Sequence, residues 1–130
     1  MFNALETLTR GLEHLKAGRL AEAEGLYRQV LAREPGNADA LHLLGMTSHA
    51  LGRHETAVEL IERAIRQAPA VAAFHNNLGT VLQAQNRHLE AIERFERALR
   101  LAPGFAEAHI NLGNSLQALR RFEEALGHYR

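Results

Sequence analysis

The chain has 130 residues, and its 15 lysines and arginines balance its 15 aspartates and glutamates, so the formal net charge is zero. Nucleic acids and anionic membranes reward an excess of positive charge, and neither partner is predicted for a neutral chain. Hydrophobic residues make up 46% of the sequence, which indicates a folded protein and excludes a disordered one. There is no cysteine, which excludes disulfides and thiolate metal sites.

The chain has no targeting or membrane signal in its sequence. Its N-terminus lacks a basic start followed by an apolar run, and no segment approaches 18 consecutive apolar residues. We therefore expect a soluble, cytoplasmic protein.

A period of 34 residues organises the sequence from the first helix onwards. It is carried by two sets of residues, Pro35, Pro69 and Pro103, and Gly11, Gly45, Gly79 and Gly113. Such a period indicates a stack of copied supersecondary units and not one globular core. We call these copies repeats. They are residues 4–37, 38–71, 72–105 and a truncated 106–130, and together they form a single array.

Each repeat contains two amphipathic helical patterns separated by a short break. The breaks, in chain order, are Gly18-Arg19, Gly52-Arg53, Asn86-Arg87 and Arg120-Arg121. Glycine or asparagine at such a break can take the left-handed conformation that ends a helix. Glycine on the first helix and alanine on the second predict a close approach of the paired backbones. The prediction is a helix-turn-helix in every repeat, with no strands.

The repeats resemble the tetratricopeptide-repeat family, in which Leu-Gly is followed by Ala-x-x-x-aromatic and then Pro. The third repeat matches this pattern at Leu78, Gly79, Ala91, Phe95 and Pro103, and the fourth repeat matches it at Leu112, Gly113, Ala125 and Tyr129. The resemblance covers essentially the whole chain, and the match to the pattern is weaker in the first repeat. It implies an all-α fold, an alpha-alpha superhelix of about three and a half antiparallel helix pairs whose first helices line a concave face.

Polar residues at helical spacing mark the side of each first helix that we expect to be concave. The candidate peptide-binding residues are Asp39, His42, His49, Asn76, Asn77, Thr80, Gln83, Glu107, Asn111, Asn114 and Gln117. Asparagine and glutamine offer a donor and an acceptor together, which match a peptide backbone. A row of such amides predicts a groove that holds an extended peptide.

The third and fourth repeats are similar to those of the protein O-linked N-acetylglucosamine transferase arrays. Asn77 and Asn111 each precede a Leu-Gly pair. In those arrays an asparagine at this place forms a ladder that grips substrate peptides, so the resemblance implies that role for both residues. Thr9 and Leu43 occupy the equivalent places earlier, so the ladder starts midway. A structural or solvated role for the amides is the alternative.

Three other kinds of site are not predicted. A two-carboxylate clamp for chaperone tails would need lysine or arginine around Asn77, and none stands at the neighbouring positions His42, Met46, Glu107 and Asn111. Asp39, His42 and His49 share a helix face, but a chelating histidine pair usually has i, i+4 spacing, so neither a metal nor another cofactor is expected. The chain also lacks the common phosphate-loop, metalloprotease and nucleophile-elbow motifs, and an enzyme is not predicted.

The sequence therefore predicts a non-catalytic interaction scaffold that binds an extended peptide or protein segment, as the N-terminal fragment of a longer protein. The fragment is expected because the chain stops one residue after Tyr129, without the polar capping helix that solenoids require. One alternative is a self-assembly element that forms a homo-oligomer through its uncapped C-terminal repeat. The other is the substrate-recruiting part of a glycosyltransferase whose catalytic domain follows Arg130.

Overall fold

A computed structural model describes residues 1–127, without the side chains at 122 and 124–127. This part of the chain forms helices and no strand, as predicted: α1 (Ala4–Lys16), α2 (Leu20–Arg33), α3 (Ala38–Ala50), α4 (His54–Gln67), α5 (Ala72–Ala84), α6 (His88–Leu101) and α7 (Ala106–Gly127). The helices divide into two compact units, unit 1 (Met1–Pro69) and unit 2 (Ala70–Arg130). Unit 1 contains α1 to α4, and unit 2 contains α5 to α7.

The first three breaks predicted from the sequence are confirmed, and they share one geometry. Gly18, Gly52 and Asn86 have positive φ values of 78°, 81° and 60°. After each of them an arginine donates its backbone N–H to a carbonyl five residues earlier, at 2.8, 2.8 and 2.9 Å. This is the Schellman ending, which needs a residue that enters the left-handed region at low cost.

Side chains and prolines set the other helix ends. Asn3 Oδ1 accepts a hydrogen bond from the backbone N–H of Glu6 at 3.0 Å, and Asn37 Oδ1 accepts one from Ala40 at 2.9 Å. These are N-caps, which satisfy donors that the first turn of a helix leaves unpaired. At the other end, α2, α4 and α6 each stop two residues before a proline, because the residue preceding proline disfavours helical geometry.

Unit 1 is built on two close glycine contacts. In this unit α1 packs against α2, α3 packs against α4, and α3 also contacts both α1 and α2. A Cβ atom added at Gly11 would lie 2.5 Å from Tyr27 Cε1, and one added at Gly45 would lie 2.7 Å from Ile61 Cγ1. Tyr27 and Ile61 are completely buried. The close approach expected from the repeated glycine is therefore present in both helix pairs.

Unit 2 repeats the contact once. Helix α5 packs against α6 and α7, and α6 also packs against α7. A Cβ atom added at Gly79 would lie 2.5 Å from Cε1 of the fully buried Phe95. Phe95 thus fills the same position on α6 that Tyr27 fills on α2.

The fourth predicted break is wrong. Helix α7 runs without interruption from Ala106 to Gly127, through Arg120-Arg121. Arg120 occupies the position that carries glycine or asparagine in the three earlier turns. Arginine is a good helix former and pays about 1–2 kcal/mol to enter the left-handed region, so the straight helix is favoured at this point. Tyr129, which completes the fourth sequence motif, lies outside the described residues.

Candidate functional site

Polar side chains of α5 and α7 form one hydrogen-bonded network within unit 2. Asn76 is at its centre and is only 1% exposed. Its Nδ2 donates to Asn77 Oδ1 at 3.3 Å, and its Oδ1 accepts from Asn111 Nδ2 at 3.2 Å. The candidate asparagines of the third and fourth repeats are thus connected through one buried amide.

Gln83 ties the other end of α5 to α7. Its Nε2 donates to the backbone carbonyl oxygen of Asn111 and to Ser115 Oγ, both at 2.9 Å. Both hydrogens of the Gln83 amide are therefore used within the fold. The buried Ser115 Oγ also lies 3.1 Å from His88 Nδ1 at the start of α6. All three helices of unit 2 contribute to this network.

The remaining candidates of unit 2 differ in exposure. Thr80 is half-buried, and its hydroxyl donates to the carbonyl of Asn76 at 3.1 Å. Glu107, Asn114 and Gln117 are exposed on α7. We call the accessible amides of unit 2 the amide surface, which consists of Asn77, Gln83, Asn111, Asn114 and Gln117.

The candidates of unit 1 form a different environment. Burial lowers the pKa of His42 to about 4, while the exposed Asp39 carboxylate acts in the opposite direction. His49 contacts a second histidine, since its Nδ1 lies 2.9 Å from Nδ1 of His54 on α4. Burial, and then the charge of His54, lowers the pKa of His49. Burial therefore favours the neutral form of His42 and His49 at pH 7.

Two general properties bear on the kind of site. Among the described residues, no group of three or more His, Asp or Glu side chains is arranged to hold a metal ion. In the same part of the chain, no helix is long and apolar enough to cross a membrane. A cytoplasmic location stays a prediction.

Sequence reasoning missed three polar residues that the structure places in these clusters. They are His54, His88 and Ser115. His54 and His88 are equivalent, 34 residues apart, and each opens a second helix. Their contacts could have been expected from this position, because the start of the second helix of a repeat lies beside the end of its first helix. Ser115 gave no signal, since valine occupies the equivalent position 81.

Antiparallel helix pairs with a repeated glycine contact define the class of tandem helical-repeat proteins. The tetratricopeptide-repeat family model matches residues 8–72 and 76–130. The chain therefore belongs to the tetratricopeptide-repeat family. Among curated proteins, none matches the sequence significantly.

Two solved repeat domains share the fold at low sequence identity. The first tetratricopeptide repeat domain of Spaghetti (RPAP3), bound to the HSP90 peptide SRMEEVD, superposes with a TM-score of 0.85 at 24% identity, covering 90% of this chain and 93% of that one. The Sgt2 domain from Aspergillus fumigatus gives a TM-score of 0.88 at 20% identity, covering 93% of this chain and 82% of that one. At these identities the likeness concerns the fold.

A third solved structure is more similar in sequence. The O-GlcNAc transferase of Thermobaculum terrenum superposes with a TM-score of 0.84 at 31% identity. The match covers 89% of this chain but 23% of the transferase. The similarity to transferase repeats noted in the sequence is thus confirmed for the repeat region, which is less than a quarter of that enzyme.

Proposed function

We propose that the chain is a non-catalytic interaction module, and that unit 2 binds an extended peptide segment of a partner protein on the amide surface. One observation carries the proposal. The half-buried Asn111 is held by the buried Asn76, and Asn77 is held by the same residue. Two amides one repeat apart are therefore fixed in position and remain partly accessible. Asn76, which is itself buried, acts as a positioning residue.

This arrangement lowers the cost of binding. Immobilising a flexible side chain at an interface costs roughly 0.5–1.5 kcal/mol. The Asn111 side chain is already restrained through its Nδ2, and its Oδ1 accepts no hydrogen bond from the described residues. That oxygen is suited to a peptide N–H. The neighbouring Asn114 and Gln117 are exposed and offer donors as well as acceptors.

Charge restricts the class of peptide. Among the candidate residues of unit 2, Glu107 is the one charged side chain, and it is negative. An acidic tail gains its affinity from charge-assisted bonds to lysine or arginine, which the amide surface does not provide. The proposed ligand is therefore a neutral or basic extended peptide. An acidic peptide such as SRMEEVD, which is bound in the Spaghetti (RPAP3) structure, serves as a contrasting probe.

The test is peptide capture by the 130-residue chain from an array of extended peptides, followed by titration of the best binders. Removal of two amide contacts costs about 1–3 kcal/mol at 0.5–1.5 kcal/mol each. The double variant Asn77→Ala with Asn111→Ala should therefore weaken Kd at least about fivefold. Gln29→Ala is the matched control, because it removes an exposed amide from α2 in unit 1.

A further variant separates contact from positioning. Asn76→Ala should also weaken capture, although Asn76 is 1% exposed, because it releases the Asn111 side chain. Circular dichroism must show an intact helical fold for each variant. Unchanged capture by the double variant would remove the amide surface from the proposed site. Equal capture of SRMEEVD and of neutral peptides would contradict the proposed peptide class.

A second candidate function is the recruitment of protein substrates for a glycosyltransferase. The observation that favours it is the 31% identity to the repeat region of an O-GlcNAc transferase. In this case the same amide surface would hold the segment to be glycosylated. The mass of the native protein, measured by immunoblot from its source cells, tests this candidate. A mass near the 14.4 kDa of the 130-residue chain would contradict it.

A further inference from the structure

Helix α6 and the start of α5 line an open cavity of about 410 Å³ in unit 2. We call it the arginine cavity, and its lining residues are His75, Glu93, Arg94, Glu96, Arg97 and Arg100. His75 is buried and Arg94 is half-buried, whereas the other four side chains are exposed. A polar group of a partner can therefore reach the arginines from solvent.

The second repeat is built differently at the same place. The equivalents of His75 and Arg94, 34 residues earlier, are Leu41 and Leu60, which are 1% and 8% exposed. The cavity on α4 is smaller, about 280 Å³, and two glutamates and two arginines line it: Glu59, Glu62, Arg63 and Arg66. The third repeat therefore replaces two buried apolar residues with polar ones, and it adds one arginine to the cavity lining.

Arg87 occupies the carboxylate that would otherwise pair with Arg94. Glu90 and Arg94 are four residues apart on α6, which is the spacing of a helical ion pair. Arg87 Nε donates to Glu90 Oε1 at 3.0 Å, and Arg87 Nη2 donates to Oε2 at 2.7 Å. This hydrogen bonding is the main cause that lowers the pKa of Glu90, and the charge of Arg94 contributes least. Arg94 forms no ion pair within the part of the chain that the structure describes.

The other two arginines of the cavity also lack an ion pair with a described residue. Arg97 follows Glu93 by four residues and Arg100 follows Glu96 by the same spacing, yet neither of these two pairs is formed. Since the three arginines recur every three residues, they lie within about 9 Å along the helix axis. Three arginines against two glutamates leave one excess positive charge in the lining. This charge balance favours an anionic ligand.

A phosphoryl group fits three clustered guanidinium groups better than a carboxylate does. It carries a charge of about −1.5 to −2 at pH 7 and has three acceptor oxygens. Guanidinium groups bind such oxygens through two parallel N–H bonds. Because the lining keeps an excess positive charge despite Glu93 and Glu96, a doubly charged group gains more than a singly charged one. The same two carboxylates can accept hydrogen bonds from a basic side chain beside the phosphoryl group.

We propose that the arginine cavity binds a phosphoserine of a partner protein that has a basic residue beside it. The phosphoryl group lies against Arg94, Arg97 and Arg100. The basic side chain lies against Glu93 and Glu96, so that one segment satisfies both signs of charge. Inorganic phosphate satisfies one sign only, so a polypeptide is the better ligand. The arginine cavity shares no residue with the amide surface, and it can bind its segment whether or not the amide surface holds a peptide.

Fluorescence anisotropy tests the proposal, with the 130-residue chain titrated into a labelled peptide that carries one phosphoserine and one adjacent arginine. We expect binding that weakens as salt is added, because exposed charges are screened. The same peptide with serine or glutamate in place of the phosphoserine should bind at least about tenfold more weakly, since charge-assisted bonds are lost. Equal binding of either peptide would overturn the phosphoryl assignment. Inorganic phosphate with the same Kd as the phosphopeptide would overturn the partner protein as its source.

Two variants locate the contact. Arg94→Leu introduces the residue of the second repeat, where Leu60 is accommodated and buried. Arg100→Gln removes an exposed charge, and Arg66→Gln is its matched control at the equivalent position of α4. Both changes at the cavity should weaken the phosphopeptide Kd at least about tenfold, and the control should leave it unchanged. Circular dichroism checks the helical content, and Arg100→Gln decides alone if Arg94→Leu loses it. An unchanged Kd in the cavity variants, or an equal loss in the control, would contradict this site.

Discussion

The glycine contact of unit 1 gives a quantitative prediction from two alanine substitutions. Gly11 and Gly25 both lie inside helices of this unit. A Cβ atom at Gly11 would be 2.5, 3.0 and 3.1 Å from three atoms of the Tyr27 ring, while one at Gly25 meets nothing within 4 Å. The two substitutions are chemically identical. They should therefore change the free energy of unfolding by different amounts.

The magnitudes follow from two opposing effects. Replacing a helix-interior glycine by alanine stabilises a helix by about 1 kcal/mol. Overpacking a filled contact costs about 1–3 kcal/mol, and Tyr27 has no room to move because it is completely buried. Gly25→Ala should stabilise the protein by about 1 kcal/mol. Gly11→Ala should be neutral or destabilising by up to about 2 kcal/mol, so the two differ by about 1–3 kcal/mol.

Urea unfolding followed by circular dichroism measures both free energies. A double-mutant cycle with Tyr27→Ala isolates the contact, because Gly11→Ala should become stabilising once the ring is removed. Equal stabilisation by Gly11→Ala and Gly25→Ala would refute the reasoning. That result would mean that α1 and α2 separate freely, and that the repeated glycine is not needed for their approach.

Three further predictions concern polar groups that are buried or half-buried in the fold. Tyr27→Phe should stabilise the protein by about 1 kcal/mol in urea unfolding, because the buried Tyr27 hydroxyl has no hydrogen-bond partner among the described residues; destabilisation would indicate a hidden partner. His42 has a pKa of about 4 in the fold, so its contribution is present above pH 6.5 and is lost as the pH falls from 6.5 to 4, by up to about 3 kcal/mol. His42→Gln should flatten that stability profile, and an equally steep profile would contradict the cause. Gln83→Ala should destabilise unit 2 by about 1–3 kcal/mol through its two lost bonds to α7, and hydrogen exchange at the backbone N–H groups of α7 should accelerate; unchanged exchange would contradict this role.

The repeat architecture could be predicted from the sequence because each structural requirement recurs at the same interval. A single glycine or proline would have been ambiguous, but the 34-residue spacing identified three first-helix glycines, Gly11, Gly45 and Gly79, that each lie opposite a second-helix side chain. The exception is Arg120, where the period predicted a turn and the structure has a helix. The residue itself carried the information, since arginine lacks the left-handed preference of glycine and asparagine. Local backbone energetics prevailed over the repeat pattern.

The polar network could be predicted only in part. The sequence placed Asn77 and Asn111 in equivalent positions, but it did not reveal that Asn76 lies buried between them. Neighbouring residues on a helix differ by about 100° in direction, so the packing of α7 decides which asparagine is enclosed. The pairing of His49 with His54 depends in the same way on how closely α3 and α4 meet. Such contacts require the geometry of two helices, which periodicity alone does not give.

The Asn76–Asn111 bond joins residues 35 positions apart, scarcely more than one repeat. Contacts between close neighbours in the chain lose little entropy on loop closure, and proteins rich in them fold quickly. During synthesis, Asn76 stays without this partner only until the next first helix has emerged from the ribosome. The chain can therefore form the Asn76–Asn111 contact as soon as α7 is made, without waiting for a distant segment.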